Sequence, residues 1–443
     1  MAANVVFKSH NAFNRKAPLP TGAIQSIPRL YDEKKAVLKT LDDQRHARSV
    51  IGERIRSSAK DPSAKETALA EAKLLKEEVA KLEQRLEEVE EELFRTAVAV
   101  PNDTHPDVPI GPESAAAVLA QHGPELIPAS PQRDHVHIAT ELGLVDLEAG
   151  AAVSGTSWYY LKNEGALLEL ALTNYAMSIA MKYGYTPVTT PDVVRTDVAY
   201  RCGFQPRDDQ VDPPVSQMYH ISQSSSLPEL VLAGTAEIPL AGMFANQIFN
   251  ENKLPIRVVG LGKAFRAEAG ARGTDTRGLY RVHQFTKLEL FAVSPETDSE
   301  NIMEELKTIQ MEIFSGLNLP FRVLDMPTEE LGASAYRKYD IEAWMPGRGG
   351  WGEISSTSNC TDYQSRRLHI RYRRVSSDGS EASGLPFAHT LNGTAAAVPR
   401  LIVALIENGA RFDGAGNPVG LDLPKVLRPF WLQAGERDVV RWV

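Results

Sequence analysis

The chain has 443 residues, of which 43% are hydrophobic and 24% charged, and its formal net charge is −9. This length is large for a single hydrophobic core, so about two or three domains are expected, and the composition is that of a globular protein. The acidic balance excludes a general polyanion binder, so any contact with nucleic acid requires a local basic surface. The only cysteines, Cys202 and Cys360, indicate a reducing compartment and no disulfide framework. No apolar run reaches the roughly 18 residues that predict a membrane span.

The first segment, residues 1–31, is basic and contains no acidic residue. Its cations are Lys8, Arg15, Lys16 and Arg29. Two interpretations remain open, namely the remnant of an organellar presequence and a basic segment that lies near a nucleic acid. The prolines Pro18, Pro20 and Pro28 predict that this segment is extended or turned rather than helical.

Two helices with apolar seams are predicted next. From Arg29 to Arg56 apolar residues recur at alternating spacings of three and four, and Asp61-Pro62-Ser63 ends this pattern. A second helix, from Ala64 to Thr96, carries an unbroken heptad seam formed by Ala68, Ala72, Leu75, Val79, Leu82, Leu86, Val89 and Leu93. Two such helices joined by a short proline turn predict an antiparallel hairpin, whose second helix is about 50 Å long at a rise of about 1.5 Å per residue.

The two predicted helices differ in charge. Residues 29–60 contain nine Lys or Arg against five Asp or Glu, whereas residues 64–95 contain six against ten. The pattern is compatible both with a solvated coiled coil of structural role and with an arm that binds nucleic acid.

A segment rich in proline, glycine and aspartate precedes the body of the chain. Residues 99–133 predict a linker, so the expected domains are residues 1–98, this linker, and residues 134–443. Within the body a helix is predicted from Glu164 to Tyr183, because its apolar residues share one face. The segment Tyr185–Val194 that follows is predicted to begin as a strand that ends near Pro191.

The segment from Val258 to Phe291 predicts a β-hairpin with a long, glycine-rich, cationic loop, because apolar and polar residues alternate at both of its ends. Arg266 and Glu268 are expected on one face of the first strand. One face of the second strand is expected to carry Arg281, Phe285, Lys287 and Glu289. Such a face is not ordinary core, because an unpaired buried charge costs several kcal/mol. It predicts a floor for a small ligand that is anionic at one end, cationic at another and aromatic in between.

The hairpin pattern F-R-x-E-A-G, a glycine-rich loop and T-R-G-L-x-R-x-H-Q-F-x-K-x-E resembles motif 2 of the seryl-tRNA synthetases, which are class II aminoacyl-tRNA synthetases. Three further segments resemble that family in register with it, and they are the T-x-E segment Thr235-Ala236-Glu237, the E-[IV]-S-S segment Glu353-Ile354-Ser355-Ser356, and a motif 3 formed by Leu391-Asn392-Gly393-Thr394 and Arg400. The helix and strand over residues 164–194 resemble motif 1, which implies dimerisation. Ala395 and Pro399 depart from the pattern, since glycines are usual there. A methyl group is therefore expected beside the nucleotide at Ala395, and Pro399 is tolerable if it opens a helix.

The resemblance implies an α+β fold, with a class II antiparallel β-sheet catalytic domain flanked by helices and an N-terminal antiparallel helical-hairpin arm. It implies a homodimeric serine–tRNA ligase that activates L-serine with ATP and Mg²⁺ to seryl-adenylate. The serine is then transferred to the 3′ end of tRNA(Ser), which the arm is implied to bind.

The resemblance also implies roles for individual residues. Catalytic roles fall on Arg266 and Arg400. Serine is placed on Thr235, Ala236, Glu237, Glu289, Asn392 and Thr394. ATP is placed on Arg266, Ala267, Glu268, Arg281, Val282, Phe285, Glu353, Ile354, Ser355, Ser356 and Arg400. Magnesium is placed on Glu353 and Ser356, and the loop residues Arg272 and Arg277 are expected to contact ATP or the acceptor end of the tRNA.

These residue types suit the implied chemistry. The attacking group is an ionised carboxylate, so no protein base is needed, and catalysis depends on positioning and on positive charge beside the phosphates. Two alternatives are a non-catalytic paralogue and a paralogue that loads a carrier protein. The retained charged residues count against the first, and the intact arm counts against the second. For the compartment, the mitochondrial matrix is expected, with the cytoplasm as the alternative.

Overall fold

The computed structural model describes residues 2–57, 61–204, 216–222, 228–268, 278–374, 384–432 and 437–443. The chain forms two compact units, residues 1–101 and residues 102–443. No helix within the described ranges is both long enough and apolar enough to cross a membrane.

The first unit consists of three helices, α1 (Ala2–Asn14), α2 (Ala23–Ser57) and α3 (Pro62–Ala99). The prediction of an extended or turned first segment is wrong for α1, which is helical, and for Pro28, which lies inside α2. It is right for residues 15–22, which contain Pro18 and Pro20 and form turns rather than a helix. Proline lacks only its own N–H, so the loss of one backbone hydrogen bond is outweighed in a helix of 35 residues that has a packed face.

Helices α2 and α3 pack along an apolar seam. The most buried residues of this seam are Leu30, Leu41, Ile51, Ala68, Val79 and Val89. The other members of the predicted heptad seam are all half-buried. Asp61 begins α3, because its carboxylate accepts hydrogen bonds from the backbone N–H groups of Ser63 at 3.1 Å and Ala64 at 3.2 Å.

The charge difference between these helices appears as ion pairs across the hairpin. Lys34 lies 2.8 Å from Glu90, and Arg45 lies 2.8 Å from Glu83. Exposed pairs of this kind contribute about 0–1 kcal/mol each, so the apolar seam holds the helices together and the pairs fix their register.

The second unit is built on an eight-stranded sheet in the order β1-β11-β12-β13-β15-β10-β9-β4. Its strands are β1 (Ala117–His122), β4 (Thr186–Thr189), β9 (Ile256–Phe265), β10 (Gln284–Ser294), β11 (Phe321–Asp325), β12 (Arg337–Met345), β13 (Gly350–Asn359) and β15 (His389–Ala397). Neighbouring strands are antiparallel except for β4 and β9. This is the antiparallel sheet that the family resemblance implies.

Shorter strands and helices surround this sheet. The strands are β2 (Val145–Asp146), β3 (Tyr160–Leu161), β5 (Val193–Arg195), β6 (His220–Ile221), β7 (Leu230–Leu232), β8 (Ile248–Asn250), β14 (Arg371–Arg373), β16 (Ala410–Phe412), β17 (Pro418–Leu423) and β18 (Val440–Trp442). The helices are α4 (His135–Glu141), α5 (Leu147–Ser154), α6 (Glu164–Lys182), α7 (Thr196–Arg201), α8 (Glu237–Met243), α9 (Ser299–Gly316), α10 (Tyr363–Leu368) and α11 (Val398–Gly409).

The segment interpreted as a linker, residues 99–133, contributes to this unit. Its strand β1 pairs with β11 at one edge of the sheet. Strand β1 begins with four consecutive apolar residues, Ala117 to Ala120, so no alternation in the sequence indicates a strand there.

The two faces of the sheet have different partners. On β10, Leu288, Leu290 and Ala292 belong to a large core that also contains residues of α6, α9 and α11. The alternating residues Lys287 and Glu289 therefore face the other side. The period of two in a strand thus separates the core from the charged face.

The predicted hairpin exists, but its strands are shorter than expected. Strand β9 ends at Phe265, which pairs with Gln284 at the start of β10, so Arg266, Glu268 and Arg281 lie just beyond the strands. Glu268 has a φ of 47°, which a continuing strand cannot adopt. The N–H of Arg266 still donates to His283 O at 2.9 Å, which extends the pairing by one step.

Candidate active site

An open cavity of about 520 Å³ lies beside the charged face of the sheet. It is lined by Arg266, Glu268, Leu279, Tyr280, Arg281, Val282, Phe285, Lys287, Glu353, Ile354, Ser355, Ser356, Thr394, Ala397, Pro399 and Arg400. Every residue that the sequence analysis places at ATP lines this cavity except Ala267, whose N–H donates to Gln217 O at 3.0 Å. Arg272 and Arg277 lie outside the described residues.

At one end of the cavity is a group that we call the arginine cluster, Arg266, Tyr280, Glu353 and Arg400. Arg400 Nη1 donates at 3.0 Å to the Glu353 carboxylate and at 3.0 Å to the backbone carbonyl of Glu353. Arg400 Nε donates to Tyr280 O at 3.3 Å, and the guanidinium lies 4.7 Å from the centre of the Tyr280 ring. These contacts fix the direction of Arg400.

The charge of Glu353 is set by its neighbours. The recessed position of the carboxyl group favours its neutral form, but the positive charges of Arg400 and Lys338 outweigh this effect and hold the pKa of Glu353 below its usual range. Glu353 is therefore ionised at neutral pH. With two guanidinium groups against one carboxylate, the arginine cluster carries net positive charge and suits a phosphate chain.

Arg266 lies between this cluster and a second one. Its Nε donates to Gly234 O at 3.2 Å, and its guanidinium lies 5.4 Å from the centre of the Phe285 ring. Burial, and after it the charge of Arg400, lower the pKa of Arg266. The carboxylates that oppose this shift include both Glu353 and Glu289, so the guanidinium interacts with both ends of the cavity.

The second group, which we call the carboxylate cluster, consists of Thr235, Glu237, Lys287, Glu289 and Thr394, of which Lys287 and Thr394 line the cavity. Lys287 Nζ lies 2.7 Å from Glu289 Oε2 and donates to Thr235 Oγ1 at 3.1 Å. The Lys287 and Glu289 side chains are only 10% and 1% exposed, so this ion pair is shielded from water. Thr394 Oγ1 donates to Glu289 Oε2 at 3.5 Å.

Glu237 joins this cluster from the first residue of α8. Its Oε1 accepts hydrogen bonds from Gln364 Nε2 at 2.6 Å and from Asn392 Nδ2 at 3.0 Å. Burial and then the charge of Glu289 raise the pKa of Glu237 to about 7, although Lys287 opposes the shift. Glu237 is therefore an acid whose charge changes near neutral pH.

Strand β15 and helix α11 correct one expectation and agree with another. Thr394 lines the cavity, whereas Ala395 is fully buried in the core on the opposite face, so its methyl group does not lie beside a nucleotide. The prediction for Ala395 is wrong because Ala395 is the extra residue of a β-bulge, since Thr394 pairs with Glu289 and Ala396 pairs with Leu288, and its side chain packs in the core. Pro399 lies in the first turn of α11, where a missing N–H costs no hydrogen bond.

A carboxylate fixes the far end of α11. Glu407 Oε2 accepts from the N–H groups of Gly347 at 2.7 Å and Arg348 at 3.1 Å. Glu407 Oε1 lies 3.0 Å from His135 Nδ1, and His135 Nε2 accepts from Leu279 N–H at 3.2 Å. Because Nε2 accepts a hydrogen bond, the proton of the imidazole is on Nδ1 and is donated to Glu407.

Oxygen ligands for a hard divalent cation are present at the arginine cluster. Glu353 offers a carboxylate, and Ser356 on the same strand offers a hydroxyl. Asp340 pairs with Ser356 across β12 and β13, and its Oδ1 is buried and has no hydrogen-bond partner within the described ranges. In those ranges no three His, Cys, Asp or Glu side chains are grouped so that they could hold a metal ion.

Three residues of the site were not assigned a role from the sequence. Lys287, Tyr280 and Gln364 contact the predicted residues Glu289, Arg400 and Glu237 respectively. The sequence did indicate Lys287, because it shares one face of the strand with Phe285 and Glu289. Nothing in the local pattern of Tyr280 or Gln364 indicates their partners, which are distant in sequence.

The chain resembles known proteins over nearly its whole length. Residues 13–104 match the model of the seryl-tRNA synthetase N-terminal domain, and residues 219–409 match that of the tRNA synthetase class II core domain (G, H, P, S and T). It is 40% identical over 404 residues to a serine–tRNA ligase of Treponema denticola, covering 90% of this chain and 91% of that one. It is 42% identical over 421 residues to a mitochondrial serine–tRNA ligase of Schizosaccharomyces pombe, covering 95% and 85%. The structure of seryl-tRNA synthetase from Pyrococcus horikoshii complexed with ATP superposes with a TM-score of 0.77 at 33% identity, covering 97% and 96%.

Proposed function

The chain belongs to the seryl-tRNA synthetase family and is a class II serine–tRNA ligase, and we propose that it joins L-serine to ATP between the carboxylate cluster and the arginine cluster. A serine carboxylate oxygen attacks the α-phosphorus of ATP, the bond from that phosphorus to the bridging oxygen of pyrophosphate breaks, and pyrophosphate leaves. The 3′-terminal ribose hydroxyl of tRNA(Ser) then attacks the carbonyl carbon of seryl-adenylate, and AMP leaves.

One observation carries the placement of this reaction. Arg266 lines the same cavity as Lys287 and Thr394 of the carboxylate cluster and as Glu353 and Arg400 of the arginine cluster, and the charges of Glu289 and Glu353 both raise its pKa. A planar cation in this position is suited to bridge the serine carboxylate and the α-phosphate, and Arg400 adds positive charge along the phosphate chain. No base is required, since the attacking carboxylate is already ionised.

The proposed ATP contacts follow the lining of the cavity. Phe285 offers a ring for adenine beside Arg266. The remaining contacts are assigned to Ala267, Glu268, Arg281, Val282, Glu353, Ile354, Ser355, Ser356 and Arg400. Glu353 and Ser356 would hold Mg²⁺, which when bound supplies charge neutralisation at the phosphates.

Serine is proposed to bind on Thr235, Ala236, Glu237, Glu289, Asn392 and Thr394. Of these, Glu237 and Glu289 supply negative charge for the α-ammonium group, and the two threonines supply hydroxyls for the side chain. Alanine would leave these polar groups without a partner, which is worth roughly 10⁴-fold in discrimination.

Serine-dependent exchange of pyrophosphate into ATP tests the activation step. We expect exchange with L-serine and magnesium, and roughly 10⁴-fold less with L-alanine. Purified protein without serine-dependent exchange would refute the proposal.

Residues 1–98 are assigned to tRNA binding through α2 and α3. The exposed cations of α2 that support this assignment include Lys39 and Arg48. Deleting residues 34–92 should abolish serylation of tRNA(Ser) and leave pyrophosphate exchange intact. Because phosphate contacts release counterions, serylation by the full chain should also weaken steeply as salt rises, whereas exchange should not. Equal losses of both activities would count against the arm.

We propose that the chain forms a homodimer through α6 and β4. Strand β4 ends the sheet, and α6 exposes Leu170 and Met181, which are 45% and 50% exposed. Light scattering after gel filtration should give twice the monomer mass, and Leu170→Glu should lower it.

The mitochondrial matrix is the proposed compartment, with the cytoplasm as the alternative. Support comes from the mitochondrial relative of Schizosaccharomyces pombe and from helix α1, which contains Lys8 and no acidic residue. Subcellular fractionation of the full chain distinguishes the two compartments.

A further inference from the structure

The side chain of Lys287 contacts two proposed serine-binding residues and has no role assigned so far. Its Nζ lies 2.7 Å from Glu289 Oε2 and donates to Thr235 Oγ1 at 3.1 Å. It also lines the cavity that receives the substrates. A lysine in this position costs desolvation, so a purely stabilising role is a weak explanation, because a buried ion pair is often matched by apolar residues of the same volume.

The hydrogen bonds of Thr235 determine what its hydroxyl offers to a ligand. Thr235 Oγ1 accepts from Lys287 Nζ at 3.1 Å and from Glu237 N–H at 3.4 Å. A hydroxyl has two acceptor lone pairs and one donor hydrogen, so with both lone pairs engaged Thr235 can interact with a ligand only as a donor.

Thr394 has the opposite role. Its hydroxyl hydrogen is directed to Glu289 Oε2 at 3.5 Å, so its oxygen is available as an acceptor. Lys287 therefore determines the hydrogen-bonding roles of both threonines. It donates to Thr235 directly, and it pairs with the Glu289 carboxylate that Thr394 contacts. A primary alcohol both donates and accepts, and so matches this pair of threonines.

We propose that Lys287 is a positioning residue of the serine pocket, which makes Thr235 a donor to the substrate and holds Glu289 where Thr394 and the substrate reach it. This inference rests on the proposed serine pocket. Lys287 transfers no proton and need not touch the phosphates. Its effect is on the recognition of serine.

The charge of Lys287 has a second consequence at Glu237. The groups that act on Glu237 are Glu289 and Lys287 from β10, Arg266 beyond β9, and Gln364 from α10. Lys287 lowers the pKa of Glu237, so its removal should raise that pKa further above the usual range for a carboxyl group. Loss of the ammonium group should therefore shift the pH at which serine binds.

The test uses Lys287→Met in the full chain, because methionine keeps the length of the side chain and removes its charge and donors. Pyrophosphate exchange is measured against serine and against ATP. We expect kcat/KM for serine to fall about 100-fold, as for the loss of hydrogen bonds from a charged donor, while the KM for ATP stays within about twofold. The acid limb of the serine pH profile should move to higher pH.

Lys338→Met is the matched comparison. Lys338 and Asp340 form the same spacing on β12 that Lys287 and Glu289 form on β10, with 2.8 Å between Nζ and Oδ2. Lys338 acts on Glu353 rather than on Glu237, so its loss should change the response to ATP and magnesium and leave the KM for serine within about twofold.

A double-mutant cycle tests the link to Thr235. Thr235→Val should weaken serine binding, and adding it to Lys287→Met should cause little further loss, because the two side chains act through one hydrogen bond. Thermal unfolding is measured for each variant, and Lys287→Gln replaces the methionine variant in every comparison if the latter does not fold.

Two results overturn the inference. One is a Lys287 variant with an unchanged KM for serine and an unchanged pH profile, while Thr394→Val raises the KM. The other is additivity of the Lys287 and Thr235 variants. If instead neither Thr235→Val nor Thr394→Val alters the KM for serine, the proposed serine pocket itself is wrong.

Discussion

The carboxylate cluster and the arginine cluster lie on the same sheet, yet a glutamate has opposite properties in each. Withdrawal from water favours the neutral acid in both places. In the carboxylate cluster a second acid adds to this effect and the pKa of Glu237 rises to about 7. In the arginine cluster Arg400 and Lys338 reverse it and the pKa of Glu353 falls below its usual range.

This difference shows that the neighbours set the charge of an acid in the site. The carboxylate cluster has one nearby lysine for two acids, so it remains negative or neutral and suits the ammonium and hydroxyl groups of a small amino acid. The arginine cluster has an excess of positive charge and suits phosphates. Substitutions in the carboxylate cluster should therefore affect the kinetics of serine, and substitutions in the arginine cluster should affect those of ATP.

The largest effect is expected for Arg266, which interacts with both clusters. Arg266→Lys removes the planar fork that bridges carboxylate and phosphate, and should lower kcat/KM for serine and for ATP by roughly 10³-fold. Pyrophosphate exchange measures both constants. Arg257→Lys on β9, the strand that ends just before Arg266, is the control. Arg257 pairs with Glu305 at 2.7 Å and does not line the cavity, so this variant should keep its activity. A selective loss for one substrate would contradict the bridging role.

A smaller and one-sided effect is expected for Arg400. Arg400→Ala removes a cation from the arginine cluster only, so kcat/KM for ATP should fall about 10²-fold while the KM for serine is nearly unchanged. The same exchange assay, with ATP and then serine varied, separates the two. Equal increases in both KM values would mean that the clusters are not independent.

In the carboxylate cluster, Thr394→Val should raise the KM for serine about tenfold and leave the KM for ATP unchanged, because one hydroxyl to the substrate is lost. Thr390→Val is a matched control on β15. The hydroxyl of Thr390 is buried and has no hydrogen-bond partner within the described ranges, so this change should have little effect on either constant. Identical behaviour of the two variants would argue against Thr394 as a serine ligand.

The smallest expected effect is a difference between the two clusters in how substrate binding responds to pH. Glu237 must be ionised to accept from the serine ammonium group, and its pKa is about 7. Lowering the pH from about 7.5 to about 6.5 should therefore reduce kcat/KM for serine about threefold. The KM for ATP should respond less, because Glu353 stays ionised over this range. A serine profile that is flat down to about pH 5 would show that the charge of Glu237 is not needed.

The sequence predicted the face of the sheet better than the ends of its strands. Alternation alone placed Phe285, Lys287 and Glu289 on one side, because side-chain period in a strand is fixed at two. It wrongly placed Arg266 and Glu268 on the first strand, because β9 ends at Phe265 and no neighbouring pattern indicates the left-handed backbone at Glu268. The heptad seam was predicted for the same reason as the sheet face, because it is periodic.

Contacts between distant segments were beyond the sequence. The bond from Gln364 to Glu237 joins residues 127 positions apart, and no periodicity indicates it. Pro28 led to a wrong prediction, because the packing of a long helix outweighs the local preference of proline against helix. The prediction for Ala395 rested on its motif position alone, whereas its methyl group packs in the core.

Helix α11 is held at both ends, by Arg400 on Glu353 and by Glu407 on the turn at Gly347. Arg400 and Glu407 are seven positions apart, which is about two helical turns, so both contacts leave the same side of the helix and oppose its rotation. A side chain at Gly347 would meet Arg133 O at 2.3 Å. The turn at Gly347 does not line the cavity, yet through Glu407 it restricts the orientation of α11 and so the direction of the Arg400 guanidinium. Substitutions in this turn are therefore restricted by the orientation of the helix rather than by the reaction.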